Sequence, residues 1–152
     1  MDGVLCTPRA CIAMGNEGGA SYLDPISCML VRNLCEDFDC QLVISSTWRY
    51  GMTLESFKMV LNAACPNLGN YIFYDDIGWR TPSLDVYPDE KNRRGSEIKE
   101  WLRKYDLWTR MFIILDDDSD IAPFEDYFVK CDVYDGVNWA AYLKARALIG
   151  SD

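Results

Sequence analysis

Behind Asp24-Pro25, the apolar residues Met29, Leu30, Leu34 and Phe38 recur at helical spacing. A capping carboxylate followed by proline is a strong helix start, so an amphipathic helix is predicted there. Gln41 to Ser45 (QLVIS) then reads as a short strand buried on both faces. Thr53 is placed to cap a second helix in which Leu54, Phe57, Val60 and Leu61 share one face. Asn70 to Tyr74 is a further candidate strand. A helix from Gly95 to Tyr105 carries Ile98, Trp101 and Leu102 on its apolar side. Met111 to Leu115 (MFIIL) is the clearest strand, Phe128 to Val133 a last one, and Trp139 to Ile149 a closing helix. Two stretches break the pattern: residues 3–23, rich in Gly, Ser and Asn, and residues 75–93, with Gly, two prolines and many charges. Both are expected to be loops. Strands alternating with helices predict an α/β fold with a mainly parallel sheet covered on both faces. In such sheets ligands sit beyond the carboxyl ends of the strands. The chemistry is therefore sought just after QLVIS and just after MFIIL.

After MFIIL comes Asp116-Asp117-Asp118-Ser119-Asp120, four carboxylates in five residues. Such a cluster repels itself unless water or a cation screens it, and a solvated acidic turn is the plainer alternative. Oxygen ligands without His or Cys suit Mg²⁺, which keeps several of its waters. After QLVIS comes Ser46-Thr47-Trp48-Arg49, where hydroxyls, backbone N–H groups and a guanidinium can hold phosphate oxygens. Ser and Thr also cap helices, so this signal is weak alone. A third element, Lys91-Asn92-Arg93-Arg94-Gly95, is a basic cluster leading into a helix.

Totals narrow the chemistry. The 152 residues fit one domain, 1–152, without repeats or linkers, and 49% apolar residues suffice for a core. No apolar run is long enough to cross a bilayer, and no basic-then-apolar leader opens the chain. The seven cysteines are odd in number and contain no C-x-x-C pair, which suits free thiols and a cytoplasmic setting. With no His, a Ser–His or Cys–His nucleophile is excluded, and general acids or bases must be carboxylate, Lys, Tyr or Cys. A net charge of −9 argues against an extended nucleic-acid surface but allows a local pocket for one phosphate.

The start of the chain, Met1-Asp2-Gly3-Val4-Leu5, brings these elements together. With "SSTWR", "RTP", "RGSEIKEWL" and "ILDDDSD" following in order, the chain resembles the haloacid dehalogenase-like (HAD) phosphatases. It resembles in particular the small HAD domains found alone or beside RNA-repair modules. The resemblance implies a Rossmannoid three-layer sandwich with a mainly parallel sheet and a minimal cap. The only room for a lid would be the 6–23 flap and the 75–92 stretch. It also implies Mg²⁺-dependent phosphomonoester hydrolysis through an aspartyl-phosphate. Carried over, Asp2 is the acid/base, Ser45 the phosphate-binding hydroxyl and Arg94 the cation, with Lys91 or Arg93 as alternatives to Arg94. Ser46, Arg49 and Lys91 join Ser45 and Arg94 as phosphate-binding residues. Asp2, Asp116 and Asp117 become metal-site carboxylates, with Asp120 a helper. The family's Asp-x-Asp motif begins one residue ahead of Met1, so its first strand and nucleophilic Asp are expected there. The substrate expected is a phosphorylated small molecule or a nucleic-acid end. The alternative is a catalytically inactive HAD-fold binding protein.

Overall fold

The structure, a computed structural model, describes residues 3–15, 23–73 and 78–151. Its longer helices begin where a side chain satisfies the free N–H groups of the first turn. Helix α2, Pro25–Phe38, starts on Asp24, whose carboxylate accepts from Ile26 N (2.9 Å) and Ser27 N (3.4 Å). Helix α3, Leu54–Ala64, opens on a reciprocal cap between Thr53 and Ser56. Helix α5, Trp139–Ile149, is capped by Asn138. Helix α4, Arg93–Tyr105, departs from this pattern, since Asn92 makes no side-chain cap. Its first turn is held from a distance: Asp120 accepts Arg94 N through Oδ2 (3.2 Å) and Gly95 N through its carbonyl (2.9 Å). Among the described residues, no helix is long and apolar enough to cross a membrane.

One expected loop is partly helical. Within 3–23, helix α1 spans Pro8–Ala13, with Thr7 Oγ1 accepting from Ala10 N (3.1 Å) and Pro8 in the first turn. Thr7-Pro8 is the same kind of start signal as Asp24-Pro25, hidden by its Gly- and Asn-rich surroundings. The tail of the second expected loop, Glu90–Asn92, is a 3₁₀ turn, and α4 starts at Arg93 rather than Gly95.

The strands are shorter than the sequence suggests. Strand β1 is Ile114–Asp116 and strand β2 Phe128–Lys130, paired in parallel with Ile114 opposite Phe128. QLVIS forms single parallel bridges instead of a continuous ladder, Leu42 to Ile72 and Ile44 to Arg80. Of the candidate strand at 70–74, whose residue 74 lies outside the described residues, the described part makes that bridge at Ile72 after Leu68–Tyr71 winds into a 3₁₀ turn. Parallel pairs need long crossovers, so their extent is set by distant partners that a local pattern does not reveal.

Side-chain alternation places both paired units between the same two apolar clusters. Leu42, Ile44, Ile72, Ile113, Leu115 and Val129 pack with the residues of α2, α3 and α5. Val43, Phe73, Phe112, Ile114 and Phe128 pack with Ile98, Trp101 and Leu102 of α4. Each unit also has an open edge. Leu42 and Ile44 use their backbone groups on the 71–73 and 79–81 side, so those of Val43 face the other way. Asp116 O accepts Cys131 N (2.8 Å), so in a parallel ladder Leu115 turns its N–H and C=O away from β2. Among the described residues, no hydrogen bond links the two units through these edges.

Candidate active site

At the carboxyl end of the 42–44 segment the chain turns through Ser45 and Ser46 into a 3₁₀ turn, Thr47–Tyr50. Ser46 Oγ accepts Trp48 N (3.4 Å), so this hydroxyl caps the turn. Ser45 Oγ lies 2.9 Å from Thr81 Oγ1 and accepts from Arg94 Nη1 at 3.2 Å. Arg94 Nε stands 3.4 Å from Asp116 Oδ2, at the end of β1. One guanidinium thus spans the ends of the two paired units. Arg94 reaches this place because Asp120, in the loop after β1, grips the first turn of α4. Asp120 therefore has a helix-anchoring task, with one carboxylate oxygen given to Arg94 N.

Gly95 makes that docking possible. A Cβ built on it would lie 2.0 Å from Ala122 O and 2.8 Å from Ile121 C, so no other residue lets α4 approach the loop so closely.

Beneath the site lies a buried ion pair. Arg49 Nη2 is 2.7 Å from Glu97 Oε1, with side-chain exposures of 1% and 6%. Arg49 Nη1 donates to the Ser45 carbonyl, and Arg80 Nη1 donates to the Arg49 carbonyl. Glu97 also accepts from Tyr87 Oη (2.9 Å) and faces Arg94 Nη1 across 3.4 Å. Burial pulls the Arg49 guanidinium downward from its ordinary value, and the neighbouring Glu97 opposes that pull. Where the sequence suggested a phosphate contact, Arg49 pairs with Glu97 and donates to the Ser45 carbonyl. Its guanidinium is enclosed and holds the Ser45 loop from behind.

The alternatives to Arg94 lie elsewhere. Arg93 pairs with Glu90 (2.5 Å) at the surface and stacks over Tyr87. Lys91 is exposed and gives its backbone N–H to Asp89. Of the three cations, Arg94 is the one brought to Ser45 and Asp116.

Asp2 lies outside the described residues. Its neighbour Gly3, at φ 67°, places its α-carbon against Asp117, whose Cγ and Oδ2 would lie 2.1 Å from a Cβ built there. The Asp117 carboxylate thus fills the space a side chain would take. Burial raises the Asp116 carboxyl above its ordinary value, against the opposing pull of the Asp118 N–H and Arg94. Among the described residues, no three carboxylate or thiol groups gather into a metal-binding set. Mg²⁺ is commonly held by one or two carboxylates completed by water and substrate phosphate. The oxygen-only pair Asp116 and Asp117 fits that demand.

Sequence reasoning gave no role to Thr81 or Glu97. Thr81 stands in the "RTP" string, and Glu97 lies one helical turn after Arg94, a spacing that sets the two side chains on one face.

A family model described as the HAD domain in Swiss Army Knife RNA repair proteins matches residues 1–141. No curated protein and no solved structure matches the chain.

Proposed function

The chain belongs to the family of HAD domains in Swiss Army Knife RNA repair proteins, and from that premise we propose that it is a Mg²⁺-dependent phosphomonoester hydrolase acting on nucleotide or nucleic-acid end phosphates. The observation that carries the reading is Arg94, whose guanidinium lies 3.2 Å from Ser45 Oγ and 3.4 Å from Asp116 Oδ2. A phosphate-binding hydroxyl and a metal-type carboxylate, far apart in sequence, share one cation. Arg94 Nε faces the Asp116 carboxylate without completing a hydrogen bond among the described residues. The apolar clusters on both faces of the strands support the three-layer HAD sandwich, and the short intervals between motifs leave no room for a large cap.

In this reading Ser45 and Arg94 bind the equatorial phosphate oxygens, where charge is spread during transfer. Thr81 fixes the Ser45 hydroxyl, and the Arg49–Glu97 pair fixes the loop. Asp116 and Asp117, with Asp2, would hold Mg²⁺, which supplies charge neutralisation at the phosphate. Asp2 protonates the leaving oxygen and then takes a proton from water. The nucleophile is a carboxylate one residue ahead of Met1, on a strand pairing with the open edges at Val43 and Leu115.

The test compares two chains on a panel of phosphate-ended oligonucleotides and nucleotides in Mg²⁺. A chain carrying an apolar strand and Asp ahead of Met1 turns over, and EDTA stops it. Asp2→Asn in that chain lowers turnover by roughly 10²–10⁴. The chain starting at Met1, which has no carboxylate at the position ahead of Met1, does not turn over. Turnover by the Met1 chain overturns the mechanism. Silence of the extended chain with Mg²⁺ binding intact favours the inactive binding protein.

A further inference from the structure

A cavity of about 360 Å³ opens beside the phosphate site, within one side chain of Ser45. Thr81 forms the shared wall, and the remaining surface includes Tyr50, Arg80, Trp101, Lys104 and Tyr105. No Asp or Glu lines it, in a chain with 24 acidic residues against 15 basic ones. Arg80 and Lys104 enter no ion pair among the described residues. Lys104 Nζ instead lies over the Tyr105 ring at 5.0 Å, and Arg80 over Trp79 at 5.0 Å.

Tyr50 is the second observation. It is 55% exposed, yet it is not free to swing. Its hydroxyl accepts from Arg49 Nη2 (2.6 Å) and lies 3.4 Å from Glu97 Oε1. The Arg49 guanidinium covers one ring face at 4.3 Å. An aromatic ring fixed by a buried ion pair and open on its other side is a stacking platform assembled before any ligand arrives.

We infer that this cavity receives the terminal nucleoside of a single-stranded nucleic-acid end whose phosphate sits at Ser45 and Arg94. This rests on the phosphatase reading and names the substrate part that the phosphate site leaves unassigned. The base stacks against Tyr50, and the unpaired Arg80 and Lys104 meet the next phosphodiester. Aromatic rings interleaved with unpaired cations are the combination that binds single strands without reading their sequence. The acidic remainder of the surface confines the contact to the end and excludes a long duplex track.

The test titrates the full chain into a fluorescently labelled uridine hexamer carrying a terminal phosphate, and into the same hexamer without it. Tyr50→Ala weakens binding roughly 5- to 150-fold, the usual worth of one stacked base. Tyr50→Phe keeps the ring but loses the hydroxyl anchor, so it retains most of the binding that Tyr50→Ala loses. Lys104→Ala, at an exposed position that leaves the fold intact, lowers the slope of log affinity against log salt by about 0.7. Lys144→Ala, on the α5 side, changes nothing. No hexamer binding, or binding indifferent to both Tyr50→Ala and Lys104→Ala, overturns the pocket. Tyr50-dependent binding of both hexamers, with no phosphate release from the extended chain, leaves the pocket standing and removes the phosphatase reading. Phosphate release with Tyr50-independent binding does the reverse.

Discussion

Glu97 ties together side chains from three parts of the site. Its carboxylate neutralises Arg49, receives Tyr87 and faces Arg94, all at 6% side-chain exposure. Truncating one partner of a buried pair leaves the other charge uncompensated. Glu97→Ala should therefore lower unfolding free energy by about 3–5 kcal/mol in urea denaturation. Asp24 is the matching case outside the site. Burial alone would raise its carboxyl, but Arg9, Thr7 and the N–H groups of Ile26 and Ser27 outweigh that and hold it below its ordinary 3.8. A depressed folded value means the carboxylate stabilises the fold above that ordinary value. The contribution is then lost as pH falls through the depressed one. Asp24→Ala should cost about 2–3 kcal/mol at neutral pH, and the difference from the parent should shrink steadily in acid. Buried thiols give a third readout. Cys28, Cys35 and Cys131 are pushed up to about 12 by burial, so they should resist alkylation until the chain unfolds.

At the scale of elements, α4 carries the site, and its position depends on Gly95. Adding a methyl there drives into the Ala122 carbonyl, so Gly95→Ala should destabilise by about 1–3 kcal/mol. It should also weaken phosphate binding, because Arg94 rides on the same turn. Phosphate titration of the variant against the parent checks the second effect. The helices were legible because their start signals are local, as at Asp24-Pro25 and Thr53. The strands were legible in place but not in length, since Leu42 and Ile44 find their partners thirty and more positions away. The strand-end rule pointed to the segments after QLVIS and MFIIL, and the family resemblance added Ser45 and Arg94; the structure places Arg94 beside Ser45 and Asp116. A sequence does not say whether a cation such as Arg49 faces a ligand or a distant buried carboxylate. Glu97 was missed for the same reason.

At the scale of the molecule, the net charge of −9 makes any cation bound at Asp116 and Asp117 a relief of local repulsion. A ligand that binds only the folded state raises its stability by about 2.7 kcal/mol at a hundredfold excess over Kd. Thermal unfolding should therefore move upward in Mg²⁺ relative to EDTA, and Asp117→Asn should abolish most of that shift. No movement in the parent chain would remove the metal from the proposal without touching the fold.

Val43 in one paired unit and Leu115 in the other each leave their backbone groups without a partner among the described residues, and these two open edges are the seam proposed above to take a strand. Amides protected by backbone partners exchange with solvent deuterium only when those partners separate. Ile44 N and Cys131 N have such partners, in Trp79 O and Asp116 O. The amides of Val43 and Leu115 have none among the described residues, although their side chains are half-buried. Hydrogen exchange should thus find two fast amides in the middle of a slow sheet. A synthetic apolar strand added in solution should slow both at once if it seats between them, which makes their exchange a gauge of whether the seam is filled.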